Sequence, residues 1–511
     1  MKKIYRLLYS NKFVAMVMLL MQIITFVAMY IWISDYSKVL FGLSTVLSAV
    51  LIIFEINRTE ESTFKMTWIT LIAIIPIFGA LFYLFTRAQG VSMNIGDDYK
   101  NIQEANKKYL VQDEDVMKNI YQTDKNQDGF ARYLSKYGGS PAYTNTGVQY
   151  YSIGERMFED MKKELLKAEK FIFLEFFIIN HTSRMWNEIL EILKKKVKQG
   201  VEVRVMYDGM GCIVTLPRKY NEYLERQGIK CRIFSPIVPL LSTHQNNRDH
   251  RKIMVIDGAT AFCGGINISD EYINEKMRFG HWKDTGFMLR GEAVAGFTAM
   301  FLEMWNVNDE HIEDCGEYIQ ASKKYSVSTD GFVIPFGDTP LDEVYIGKRA
   351  YINNLNNASE YTYIMTPYLV IDDEMYECMK YAAQRGVDVK IIMPHIPDKK
   401  YAFYLARTYY KELLKAGIEI YEYTPGFVHA KMSISDGKKA IVGTVNHDYR
   451  SLYLHYECAA YMLNVPAVMD IERDFKDTLE LSQKITLEDV KHFNVFTKIL
   501  GHIIRLVAPL L

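Results

Sequence analysis

The chain has 511 residues, with 60 Lys plus Arg against 61 Asp plus Glu. That length admits two or three domains, and the balanced charge argues against a protein that coats nucleic acid through bulk electrostatics. Six cysteines (Cys212, Cys231, Cys263, Cys315, Cys378 and Cys458) stand far apart without zinc spacing and read as buried or free thiols, which favours a reducing compartment.

Residues 13–33 are apolar, with only Gln22 and Thr25 plainly polar. That stretch is long enough for a bilayer core of roughly 30 Å and too long for the apolar core of a signal peptide. A second apolar run covers 39–56, and a third, 66–85, carries Pro76 and Gly79, which bilayer helices tolerate. The expectation is three transmembrane spans within residues 1–86 (13–33, 39–56 and 66–85), with two as the alternative, in a multi-pass protein of the cell membrane. Lys2, Lys3, Arg6 and Lys12 favour an inside N-terminus, and Arg58 and Lys65 place the following loop inside as well. Three spans then put the body outside, whereas free cysteines suit the inside, so the sidedness stays open. Residues 87–145 are polar and mixed in charge, and read as a juxtamembrane linker with helical pieces.

The remainder repeats itself. "AEKFIFLEFFII" leads through a helical stretch to "KQGVEVRVMYDG", and "ASEYTYIMTPYLV" leads the same way to "QRGVDVKIIMPH". Alternating strands and helices imply an α/β fold in two halves, 146–325 and 326–511, the second ending in an apolar tail. Further on, "DHRKIMVIDGATAFCGGIN" is matched by "VHAKMSISDGKKAIVGTVN". His250, Lys252, Asp257, Gly264, Gly265 and Asn267 align with His429, Lys431, Asp436, Gly443, Thr444 and Asn446, each pair 179 residues apart.

On a strand, side chains two apart share a face. His250 and Lys252 therefore project together, as do His429 and Lys431. An imidazole can attack or move a proton while the ammonium steadies an oxyanion, which makes a phosphate site. Asp257 and Asp436 complete the catalytic motif but fall on the opposite parity at a turn, and are read as structural. The glycines let backbone pass close to the site, and Asn267 and Asn446 offer amide hydrogens to the same phosphate oxygens. A phosphodiester exchange needs a nucleophile and an acid, and duplication supplies two histidines without a metal. Asp284 and Glu457, which lie 34 and 28 residues after the motif histidine of their own half, are the candidates to orient the imidazoles. The other histidines form no metal spacing, so no metal ligands are expected.

The duplicated motif resembles the phospholipase D superfamily, and within it the bacterial cardiolipin synthase family. Supporting stretches are "EFFIIN", "HWKDTGFMLRGEAV", "TPYLVIDDE", "GFVHAKMSISDG" and "VNHDYRSLYLHYE". The resemblance implies two pseudo-symmetric phospholipase D-like halves, each a mixed β-sheet flanked by helices, preceded by N-terminal transmembrane helices. It implies phosphatidyl transfer between two phosphatidylglycerol molecules, giving cardiolipin and glycerol through a phosphatidyl-histidine intermediate. His250 is then the nucleophile and His429 the acid and base, with Lys252, Lys431, Asn267 and Asn446 on the phosphate. Phosphatidylglycerol, cardiolipin and the bilayer are the expected partners, with no nucleic acid, no cofactor and no metal, and the oligomeric state open. His447 and Gly286 depart from the family pattern, which leaves acceptor choice open. The alternatives are a membrane-bound hydrolase of phospholipase D type or another phosphatidyltransferase. A nuclease or an inactive scaffold fits the charge, the membrane segment and the intact His/Lys pairs less well.

Overall fold

The computed structural model describes residues 35–88, 93–236, 246–307 and 313–510. The chain divides into two compact units, one made of 1–93, 237–246 and 502–511 and the other of 94–236 and 247–501.

In the first unit, helix α1 (Asp35–Ile56) is followed by α2 (Ser62–Ile74) and α3 (Pro76–Ala88). The Glu61 carboxylate caps α2 by accepting from the amides of Thr63 and Phe64 at 2.8 and 3.4 Å. The apolar run 66–85, expected as one span, is two helices of 13 residues each. A residue before proline is pushed out of the helical region, and Ile75 sits at φ −129°, ψ 72°. At ~1.5 Å per residue, 13 residues reach only about 20 Å, short of a bilayer core. The helices meet closely: a Cβ on Gly79 would lie 2.5 Å from the Leu71 carbonyl oxygen. Glu55 is buried where it accepts from the Tyr83 hydroxyl at 2.6 Å, and Arg87 pairs with Glu60 at 2.7 Å. The expected span 39–56 falls in α1, and 13–33 lies outside the described residues. Among the described residues no helix is long and apolar enough to cross a membrane.

The second unit begins with helices Met93–Asn106, Glu114–Thr123 and Lys125–Gly138. Residues 94–145, within the stretch expected as a linker with helical pieces, lie in this unit. Tyr99 accepts from Arg251 at 3.0 Å, and the Tyr461 hydroxyl donates to Gln127 at 2.6 Å.

Two sheets follow. The first half supplies β1 (Thr146–Tyr151), β2 (Phe171–Phe176), β3 (Glu202–Asp208), β4 (Lys230–Phe234), β5 (Arg248–Asp249), β6 (Lys252–Ile256), β7 (Thr260–Gly264), β8 (His281–Lys283) and β9 (Gly286–Gly291). The second supplies β10 (Phe332–Asp338), β11 (Tyr361–Met365), β12 (Leu369–Val370), β13 (Asp388–Pro394), β14 (Glu419–Tyr423), β15 (Gly426–Val428), β16 (Met432–Ser435), β17 (Lys439–Gly443), β18 (His447–Asp448), β19 (His455–Leu463) and β20 (Ser482–Ile485). The strand orders are β1-β9-β7-β6-β2-β3-β4 and β10-β19-β17-β16-β11-β13-β14-β20. Apart from β20 the second order repeats the first, and each sheet mixes a parallel core with antiparallel hairpins. The α/β fold of two duplicated mixed sheets is the one expected.

The halves share one core. Helix Val294–Asn306 is buried along its whole length and packs with residues of both sheets. Phe301 stacks on Phe173 of β2 with centroids 4.7 Å apart; burying such a ring contributes about 1.5–3 kcal/mol. The helices around the sheets show their apolar spacing plainly. Trp186, Ile189, Leu190 and Leu193 are the buried face of Arg184–Lys198, whose amide at Trp186 is capped by Ser183 at 3.1 Å.

The halves also exchange short parallel strands. β5 runs beside β19, with Arg248 opposite His455 and Asp249 opposite Tyr456. β15 runs beside β8, with Phe427 opposite Trp282 and Val428 opposite Lys283. In each pair, the strand just before one half's motif histidine lies against the strand that leads to the other half's acid.

Candidate active site

This exchange sets the site. The His250 amide donates to the Tyr456 carbonyl at 2.9 Å, and the His429 amide to the Lys283 carbonyl at 2.7 Å. Each motif histidine is thereby hung on the other half's strand, one residue before that half's acid. His250 Nδ1 lies 2.9 and 3.0 Å from the two oxygens of Glu457. His429 Nδ1 lies 2.6 Å from Asp284 Oδ2. Asp284 and Glu457 do meet imidazoles, but the pairing is crossed between halves, not within them as chain order implies. An ionised carboxylate only accepts, so each ring carries its proton on Nδ1 and presents a bare Nε2.

Lys252 and Lys431 are buried, and each donates to the carbonyl of its own motif histidine, Lys252 at 2.5 Å. Burial comes first in lowering both imidazoles, ahead of the neighbouring ammonium groups: His250 lies well below its usual range and His429 falls to about 4. Burial also brings Lys431 down to about 7 and lowers Lys252. His250 is within electrostatic reach of Lys431 and His429, and His429 of Lys252. Two neutral imidazoles and two lysine amines therefore converge, a set suited to an anionic phosphorus centre.

Within the glycine pair, Gly264 leaves room for the neighbouring backbone, where a Cβ would lie 2.4 Å from Gly286 Cα, whereas Gly265 leaves room for a side chain. A Cβ on Gly265 would lie 2.0 Å from Asp284 Oδ1, so glycine there leaves room for the carboxylate. At the matching position of the second half, Thr444 instead donates its hydroxyl to Glu457. Asp257 and Asp436 stand away from the reacting groups. Both sit at φ +54°. Asp257 accepts from the amides of Glu169, Lys170 and Phe171 at 2.7–2.8 Å, and Asp436 from those of Ser359, Glu360 and Tyr361 at 2.9–3.0 Å. They tie each motif hairpin to the start of the neighbouring strand, as their parity implied. Asn267 has its Oδ1 on the Ile178 amide and its Nδ2 on the Tyr272 hydroxyl, both at 2.9 Å, while Asn446 Oδ1 is buried without a partner.

The domain described as "Cardiolipin synthase, PLD-like domain" matches residues 161–305 and 351–479, which take in both motifs and both acids. The chain belongs to the cardiolipin synthase family of phospholipase D-like proteins. A second domain, "Phospholipase_D-nuclease N-terminal", matches residues 45–87. A cardiolipin synthase of Alkalihalophilus pseudofirmus is 32% identical over 95% of this chain and 97% of its own length. Cardiolipin synthase 2 of Bacillus anthracis is 33% identical over 90% of this chain and 89% of its own. An uncharacterized protein of Streptococcus mutans is 48% identical over 90% of this chain and 99% of its own. Among solved structures, the phosphatidylserine synthase of Haemophilus influenzae superposes with a TM-score of 0.53 at 13% identity, covering 71% of this chain and 93% of that one. At that identity the likeness is one of fold.

Within this cardiolipin synthase-family site the two histidines have unlike surroundings. Trp282, Tyr272 and Phe427 surround His429, with centroids 5.3, 5.5 and 5.8 Å from its ring. His250 meets Phe177 at 5.1 Å and His455 at 5.6 Å. His455 was not expected in the site. Its spacing carried the signal, because two residues before Glu457 on a strand is the same face. His250, His455 and Glu457 are also the group among the described residues that could hold a metal ion, with donor atoms within 4.8 Å of one another. No spacing along the chain announces that trio, since His250 comes from the other half. Lys252, Lys431 and the outlying Lys399 bring positive charge to the same corner.

Proposed function

We propose that the chain joins two phosphatidylglycerol molecules into cardiolipin and glycerol through a phosphatidyl-histidine intermediate. The observation that carries this reading is the crossed pair of dyads: two imidazoles, each with Nδ1 on a buried carboxylate and each within reach of the opposite half's lysine. His250 Nε2 attacks the phosphorus of the first lipid, the bond from phosphorus to the glycerol oxygen breaks, and His429 delivers a proton to that oxygen. His429 rests neutral, and an anionic phosphodiester seated beside it favours the imidazolium, so the proton is taken up with substrate. In the second step His429 removes the proton of a hydroxyl on another phosphatidylglycerol. That oxygen attacks phosphorus, and the phosphorus–nitrogen bond breaks. Lys252, Lys431, Asn446 and the remaining amide hydrogen of Asn267 hold the non-bridging oxygens. Glu457 and Asp284 stabilise the imidazolium formed in each step. Every step uses the chain's own side chains, with no metal or cofactor.

The substrates are lipids, and the reading includes a multi-pass anchorage in the cell membrane within residues 1–86. Apolar side chains exposed on α1 support that placement, among them Leu43, Val46, Val50 and Ile53. Phe496, Ile499, Ile503 and Leu506 are likewise exposed along and just beyond helix Val495–Arg505, at the spacing of one face.

The test is to incubate the purified full chain with phosphatidylglycerol and measure cardiolipin, free glycerol and phosphatidic acid. Cardiolipin and glycerol in equal amounts are expected. Phosphatidic acid as the main product would replace this reading with that of a hydrolase.

A further inference from the structure

Besides Gly265 and Thr444, the two sides of the site differ at a pseudo-equivalent position beside the acids. Two residues before each acid stands Trp282 in the first half and His455 in the second. Trp282 belongs to an apolar wall around His429. His455 is polar, its side chain is only 10% exposed, and neither ring nitrogen has a hydrogen-bond partner. The nearest carboxylate oxygen, Glu457 Oε1, is 3.8 Å away, beyond hydrogen-bond range. A buried imidazole with both nitrogens unpaired is uncommon and marks a place where a partner is wanting.

Charge around that ring indicates the partner's sign. Arg450, which opens the π-helical turn Arg450–Leu454 just before His455, is within electrostatic reach of it. Lys399 is exposed, lies over the Tyr368 ring at 4.6 Å and is within reach of His250. Asp448 is engaged with the Ser451 amide at 2.8 Å, and Asp398 accepts from the Tyr368 hydroxyl at 2.6 Å. Glu457 is committed to His250 and Thr444. The carboxylates of this corner are thus already engaged, while a buried imidazole with unpaired nitrogens stands beside two cations, a set that fits a phosphate.

We propose that His455, Arg450 and Lys399 form a second anion subsite beside His250, which seats the phosphate of the acceptor phosphatidylglycerol while its glycerol hydroxyl faces the reacting phosphorus. The inference rests on the function proposed above and extends it. The donor phosphate is held by the paired lysines, and the acceptor is recognised by its own charge.

The acceptor can be varied independently of the donor. The full chain in mixed micelles is given phosphatidylglycerol as donor and one of three acceptors: labelled glycerol, which is neutral; glycerol phosphate, which is soluble and anionic; or a second phosphatidylglycerol. Lys399→Ala, at an exposed position, should raise the apparent KM for both anionic acceptors about tenfold, the scale of a lost charge-assisted contact, and leave exchange with glycerol within about twofold. His455→Leu should raise the KM for both anionic acceptors by a similar factor relative to that for glycerol. A loss confined to the lipid acceptor would show that the corner reads the acyl-bearing molecule rather than its phosphate and would overturn the proposal. So would equal losses with all three acceptors, or none. Zinc inhibition of the parent chain that His455→Leu abolishes would assign the trio to a metal instead. If the parent chain transfers phosphatidyl groups to no acceptor, the proposed function fails and takes the subsite with it.

Discussion

Replacing Glu457 with glutamine removes one charge and almost no volume from a fully buried position. His250 Nδ1 stands 2.9 and 3.0 Å from the two carboxylate oxygens, and the Thr444 hydroxyl donates to the same group. A glutamine can still accept from Nδ1, so geometry and fold survive. What goes is the attraction between the carboxylate and the positive charge that His250 acquires as it attacks phosphorus. With charge centres about 4 Å apart and an effective dielectric near 20, that attraction is about 4 kcal/mol, or roughly three decades of rate. Glu457 touches no substrate, so Glu457→Gln should lower kcat for cardiolipin formation about a thousandfold with KM for phosphatidylglycerol nearly unchanged. Thermal melting with and without lipid establishes that the variant is folded. Acid quenching during turnover shows which step suffers: the loss should fall on formation of the covalent intermediate, the step assigned to His250, whereas Asp284→Asn should burden the proton transfers of His429. A Glu457→Gln variant within threefold of the parent rate, or one whose defect lies wholly in KM, would refute the crossed-dyad account.

His250→Ala and His429→Ala should each abolish turnover while the chain still folds; full activity in either, measured by glycerol release, would count against paired-histidine chemistry. The decline of kcat/KM with pH, already set by uptake of a proton at His429, which lies at about 4 in the free chain, should steepen above pH about 7, because burial brings Lys431 to about 7 and it is charged, and able to hold phosphate, only below that value. Lys431→Arg should remove most of that steepening, and a steepening that begins only near the ordinary lysine value of about 10.4 would contradict the assignment. Gly265→Ala puts a methyl group 2.0 Å from Asp284 Oδ1 and should cost about a hundredfold in kcat by moving that carboxylate off His429; near-normal activity would show that Asp284 can shift freely. Asp257→Asn should lower stability by about 1–3 kcal/mol, from weakened bonds to three backbone amides, with the rate per folded molecule unchanged.

The duplication was legible because it lies in local spacing. Six matched positions recur 179 residues apart, and strand alternation put each His and Lys together and each Asp of the motif at the turn, where the amides of Phe171 and Tyr361 meet it. The crossing of the dyads was not legible. It depends on β5 reaching β19 and β15 reaching β8, pairings two to three residues long between distant segments. Nothing in the order Asp284, Glu457 announces which histidine each acid will meet. The role of Gly265 was hidden for the same reason, since its missing side chain matters only once Asp284 arrives opposite. The break at Ile75 was written in the sequence as Pro76, but a run of apolar residues on both sides outweighed it in a reading based on hydropathy. Residues 87–145 read as a linker with helical pieces from their polar composition, although Tyr99 and Gln127 within them are buried. His455 was passed over because it forms no metal spacing along the chain, and its neighbour His250 comes from the other half.

The stereochemical course at phosphorus tests the central claim most directly. Phosphatidylglycerol made chiral at phosphorus by sulfur and heavy-oxygen substitution is converted by the full chain, and the configuration of the product is read by phosphorus NMR. Two successive in-line displacements, the first by one imidazole and the second reversing it, predict net retention. Inversion would mean that the acceptor hydroxyl attacks the donor lipid directly, with no histidine bonded to phosphorus between them.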